Sequence, residues 1–150
     1  MQSELFAPLL AVNVVSIVLI FASAWWPKLT RLLFTLIFGS AGLFNIYTAI
    51  KSPSAYQYFG ELAVLDSYRR FISGVFFAEH AREVVFAIAL GQIAVAALLC
   101  CVNRLLSIGV VGGVVFFIGI MPLGIGSAFP MPVFLIIALV VLWWRLSHQA

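Results

Sequence analysis

The residues best suited to chemistry lie together at Glu79-His80-Ala81-Arg82-Glu83. On a helix, Glu79 and Glu83 share a face, and His80 stands three residues before Glu83. Two carboxylates and an imidazole are the groups that bind a metal or relay a proton. The order is not the Glu-x-x-His of helical di-metal sites, which also needs a second copy from another helix, and no second copy is visible. Arg82 can instead pair with Glu79, making the cluster a solvated helix start whose acids suit the N-terminal dipole end. That structural reading is preferred, and no metal is expected.

A second set of polar residues is sparser and lies within apolar sequence. Asn45 and Thr48 are three apart, with Tyr47 between them, and Gln92 sits at the centre of another apolar run. A glutamine at that depth needs a hydrogen-bond partner, because hydrocarbon supplies none. These residues can cross-link helices or, together with Glu83, line a cavity between two of them. The packing role is preferred. Glu79, His80, Glu83, Gln92, Asn45 and Thr48 are therefore the candidate polar site.

The elements that position these groups follow from composition. The chain has 150 residues, of which 65% are hydrophobic and only 9% charged. Soluble domains carry roughly 25% charged residues, so an all-α integral membrane bundle forming a single domain is expected. Its formal charge of +3 reflects few charges altogether and gives no reason to expect nucleic acid. Apolar runs predict spans at about residues 5–26, 29–50, 84–102, 105–121 and 131–146, which makes four to five transmembrane helices. Ala22-Ser23-Ala24 resembles a signal-peptidase site, but no Lys or Arg precedes the apolar run, so the first segment is expected to be a span. Trp25-Trp26 and Trp143-Trp144-Arg145 are aromatic and basic anchors at span ends.

Between the second and third spans lies a polar island, residues 54–83, with four of the five acids and three of the eight basic residues. Within it, Leu65, Tyr68, Phe71, Ile72, Val75 and Phe76 recur at helical spacing, with Asp66, Arg69, Arg70 and Ser73 largely opposite. This predicts an amphipathic interfacial helix over about 60–77. Gly39 and Gly42 share a face that admits close helix approach. The adjacent Cys100 and Cys101 are expected to be small buried hydrophobes or a palmitoylation site.

Lys28, Arg31, Arg104 and Arg145 fall on one side of the spans, and Lys51, Arg69, Arg70 and Arg82 on the other. The count ties, but the first side carries its charges in short loops without acids. That side is expected in the cytoplasm, with the N-terminus outside and the C-terminus cytoplasmic. His80 and His148 then stand at opposite ends, roughly 30 Å apart, which disfavours a haem held between them within one chain. No phosphate loop, activated nucleophile or zinc-type Cys/His spacing is present.

From about Thr30 to Leu146 the chain resembles the DoxX-like family of small bacterial four-helix membrane proteins. The resemblance rests on Arg31 opening a span that reaches Gly39-x-x-Gly42-Leu43, then a polar excursion. Glu83 follows at the head of a span containing Gly91 and Leu98-Leu99. Arg104, a glycine-rich span and a Phe-Pro-led last span complete it. It implies a bacterial inner-membrane protein, in some members a subunit of a membrane oxidoreductase assembly, including quinone-reducing ones. It also singles out Glu83, then Arg31 and Arg104.

Three functions are thus in play. The first is a subunit or accessory of a membrane redox or envelope complex, with membrane lipids and a protein partner or a second copy around it and no prosthetic group of its own. The second is a membrane enzyme or carrier that binds quinone or lipid. The third is a small transporter or channel formed by an oligomer.

Overall fold

A computed structural model describes residues 2–148, with side chains from residue 6. Every regular element among the described residues is helical: α1 (Gln2–Trp25), α2 (Pro27–Lys51), α3 (Tyr58–Leu62), α4 (Asp66–Ile72), α5 (Val75–Cys100), α6 (Asn103–Ile120) and α7 (Met131–Ser147). Two 3₁₀ segments, Pro53–Gln57 and Met121–Ser127, link them. The segments beginning at Phe6, Pro27, Val75 and Asn103 are each long and apolar enough to cross a membrane; Met131–Ser147 is apolar but shorter. The chain is an all-α bundle and a multi-pass membrane protein.

The bundle is built on the antiparallel pair α2 and α5. On α5 the buried residues Ala81, Val85, Ala89, Gln92, Ala96 and Leu99 recur at intervals of three and four, the spacing of one helix face. On α2 the matching face is Thr30, Phe34, Phe38, Gly42 and Ala49. Small residues let the backbones approach: a Cβ on Gly42 would sit 2.8 Å from Ile93 and 3.0 Å from the Ala89 carbonyl. α6 and α7 complete the core around Phe38, Leu99, Val110, Phe117, Leu139 and Leu142. α1 packs mainly along α7, and the Asn13 amide donates to the Ala128 carbonyl at 3.2 Å.

Contacts along the seam set the register of this pair. Thr35 stands beside Cys100, Gly39 beside Ala96 and Gly42 beside Ile93. Carried forward, this offset places Lys51 level with about residue 84. The expected third span, 84–102, is therefore extended backward. α5 is one helix from Val75, and its first nine residues (75–83) overhang the end of α2. At the opposite end α5 stops at Cys100, while α2 runs on for two turns to Pro27.

The single amphipathic helix expected over 60–77 is replaced by three pieces. Ala63 and Leu65 are extended, because the Val64 N–H leaves the helical ladder to bond the Pro122 carbonyl at 2.9 Å. Gly74 is extended as well and separates α4 from α5. The apolar residues consequently split. Ile72 and Phe77 are buried beside Tyr68, Phe71 is half-exposed against Phe77, and Leu65, Val75 and Phe76 face outward. Together, α3 and α4 form a cap folded onto the 121–127 segment. Gly124 makes that approach possible: its φ of +58° with ψ of −119° favours glycine, and a Cβ there would lie 2.6 Å from Val64.

Candidate functional site

The charged cluster lies on the overhang of α5. His80 departs from helical geometry at φ −116° and ψ 19°. Its ring stacks on Phe76 at 4.7 Å, and Nδ1 lies 3.0 Å from the Phe76 carbonyl. A carbonyl only accepts, so Nδ1 carries the proton there. A side chain competing for an i−4 carbonyl is a recognised cause of a kink. Glu79, Arg82 and Glu83 are exposed around a shallow depression edged by Pro53 and Ser54. The expected Glu79–Arg82 pair does not form; the ion pair among the described residues is Arg69–Asp66 at 3.3 Å, on the cap. Among the described residues, no three His, Cys, Asp or Glu side chains meet as a metal site would require.

The neutral candidates do meet. Asn45 on α2 donates from Nδ2 to Gln92 Oε1 on α5 at 2.6 Å, and the Tyr56 hydroxyl donates to Asn45 Oδ1. Gln92 is only 4% exposed, so this bond supplies the partner that its depth demands. Thr48 returns its hydroxyl to the Phe44 carbonyl at 3.0 Å. Burial raises the Tyr56 phenol above its usual pKa, against an opposing contact with the Thr48 hydroxyl. Tyr56 therefore stays a neutral donor to Asn45.

Asn45 and Tyr56 also stand in the wall of a cavity of about 270 Å³ between α2, α5, α6 and the cap. Its other walls are largely apolar, with aromatic rings from Phe59, Tyr68, Phe71, Phe77 and Phe116 among aliphatic side chains. Tyr68 ties the cap down by donating to the Gly119 carbonyl at 2.9 Å, and Ser127 donates to the Gly124 carbonyl at 3.0 Å. Asn45 keeps one amide hydrogen, and the Tyr56 oxygen keeps its lone pairs. The site is thus an apolar space with a polar edge at Asn45 and Tyr56, a lining that suits an apolar ring or headgroup.

This cavity differs from the one expected between the second and third spans. Of the residues expected to line that space, only Asn45 lines this one. Tyr47 is 61% exposed, Glu83 is on the outer rim, and Gln92 is enclosed in the helix seam. Tyr56, Phe59 and Phe77 carry no sequence signal beyond aromatic content in a polar segment, and Tyr68 signals only the apolar face of an amphipathic helix. Asn13, Ser16 and Ser23, inside the first apolar run, are further polar residues that the fold satisfies by hydrogen bonds.

No family model matches this chain, nor does any curated protein or solved structure. The site must be read from its own geometry.

Proposed function

We propose that this is a multi-pass protein of the bacterial inner membrane that binds the head of a quinone or lipid in the cavity beneath its cap. The cavity carries the reading. Its volume of about 270 Å³ is just below the usual range for small-molecule sites, about 300–1,000 Å³. That size suits a ring or headgroup whose tail leaves between the helices. Aromatic faces stack on a flat ring, and Asn45, in the lining, has a second amide hydrogen with which to donate to a ring or ester carbonyl. Lys28, Arg31, Arg104 and Arg145, in short loops without acids, support reading the opposite end as cytoplasmic. The cap and the ligand then face outward.

Binding of a short-chain benzoquinone, followed by quenching of intrinsic fluorescence, tests this directly. Val84→Phe fills the cavity from its α5 wall and should abolish binding. Asn45→Ala, which keeps the space, should weaken it roughly fivefold, the effect of one hydrogen bond. Equal binding by the wild type and Val84→Phe would remove the proposal.

A second reading, as subunit of a membrane redox or envelope complex, is favoured by the rim. Glu79, Arg82 and Glu83 are exposed and form no ion pair with one another, leaving them available to the charges of a partner. The DoxX-like pattern at Arg31, Glu83 and Arg104 points the same way. The two readings are compatible, since a subunit can supply a quinone pocket. A partner that co-purifies in mild detergent and is lost on Glu79→Gln with Glu83→Gln would support this second role.

A further inference from the structure

At the end of the bundle opposite the cap, the stagger between α2 and α5 leaves a notch. α5 stops at Cys100, level with Thr35, while α2 continues about 12 Å further. The notch has a volume of about 430 Å³ and is lined by Lys28, Arg31, Leu32 and Thr35 of α2, Cys100 of α5 and Leu146 of α7. Arg31 is held in place by donating from Nη2 to the Cys100 carbonyl at 2.6 Å, which leaves Nε and Nη1 free. Lys28 is exposed beside it. Glu61, Asp66, Glu79 and Glu83 all belong to the cap or the overhang, so none of them competes for these cations. Trp25 and Trp26, 68% and 61% exposed, set this level at the lipid headgroups.

The notch opens onto a second feature. An apolar groove of about 670 Å³ runs up the outer side of the α2–α5 seam, past Leu36, Gly39, Leu43, Ile93 and Ala97. Thr35 and Cys100 line both spaces. Small side chains keep the groove open: at Gly39 a Cβ would still be 3.9 Å from its nearest neighbour, Ala96. The distance along α2 from Thr35 to Leu43 is about 12 Å. A cationic notch at headgroup depth therefore continues into an apolar channel at acyl depth, within one continuous surface.

We propose that notch and groove together form a binding site for one anionic phospholipid, with its phosphate between Lys28 and Arg31 and one acyl chain along α2 and α5. The phosphate takes charge-assisted hydrogen bonds from the free guanidinium N–H groups and a point charge from the lysine. The groove distinguishes this site from a diffuse basic surface, because it requires the headgroup and the chain to belong to one molecule.

Native mass spectrometry of the purified full chain, with phosphatidylglycerol or phosphatidylcholine added to the detergent, tests the site. The wild type should retain one phosphatidylglycerol in clear preference to phosphatidylcholine. Lys28→Gln and Arg31→Gln should each lower that retention roughly fivefold. Gly39→Leu should lower it for either lipid, by filling the groove without altering charge. Arg104→Gln removes a cation from the same end but outside the notch, and should change nothing. Lys28 is exposed, so Lys28→Gln should keep the wild-type melting temperature without lipid and remains informative if Arg31→Gln fails to fold. Equal retention of the two lipids would overturn the proposal, as would an Arg104→Gln loss matching that of Lys28→Gln. Displacement of the lipid by millimolar inorganic phosphate would show an anion site only, and would also overturn it.

Discussion

The rim at Glu79–Glu83 and the Asn45–Tyr56–Gln92 cluster are both polar, yet they are opposite kinds of site. The rim holds four ionisable groups on an overhanging helix start, exposed and unpaired within the cluster. The cluster holds no charge and sits in the α2–α5 seam, where each member is tied to another by a hydrogen bond. Water solvates the first and makes its geometry inexpensive to change. The second is fixed because Gln92 is buried and takes its side-chain bond from Asn45 across the seam. In a membrane bundle, polar groups removed from water mark an organised site better than density of charge does.

This contrast can be broken or sharpened by substitution. The largest effect is expected for Asn45→Ala, which removes both hydrogen bonds and leaves Gln92 unpaired. It should destabilise the bundle by about 2 kcal/mol in a reversible detergent or denaturant titration. A double-mutant cycle with Gln92→Ala should return a coupling of about 0.6–1.7 kcal/mol, the range for bonds between membrane helices. Zero coupling would mean that the two amides do not bond.

A smaller effect is expected from pH. Burial raises the folded-state pKa of Tyr56 above the unfolded value of 10.0, so the native state keeps this proton where the unfolded chain loses it. The contribution is complete below pH 10 and is lost as pH rises through the folded value. The wild type should therefore lose stability relative to Tyr56→Phe on going from pH 9 to pH 11. Parallel curves for the two proteins would show that the phenol is not held neutral by the fold.

The smallest effect is expected at the rim. Glu79→Gln, His80→Ala and Glu83→Gln combined should leave both the melting temperature and quinone binding unchanged. A large loss of either would put function back on the charged cluster and reverse the comparison.

Apolar run length makes the helical class and the five apolar segments legible in the sequence, because hydrocarbon thickness fixes how long such runs must be. Asn45 and Gln92 were also legible as residues needing partners. Their mutual bond was not, because it depends on the stagger of α2 against α5, which is set by how Gly42 meets Ala89 and Ile93. The cap misled for a related reason. Helical spacing in 60–77 describes local preference, whereas the Val64 bond to Pro122 is a tertiary contact that interrupts the helix. The aromatic cavity wall comes from four separate stretches of chain, and no window of sequence contains it.

The pairing of α1 with α7 bears on biosynthesis. Among the described helices, the first to leave the ribosome packs chiefly against the last. Helices insert before they associate, so α1 must wait in the bilayer, its apolar flank against lipid, until α7 arrives. The Asn13 amide bond to Ala128 is made only at that late step. Ribosomes stalled before Met131 should therefore hold a first helix that is inserted but lacks its main partner, with only its α2 contact made, and is open to membrane quality-control proteases. Completion of the last helix would act as the latch that closes the bundle.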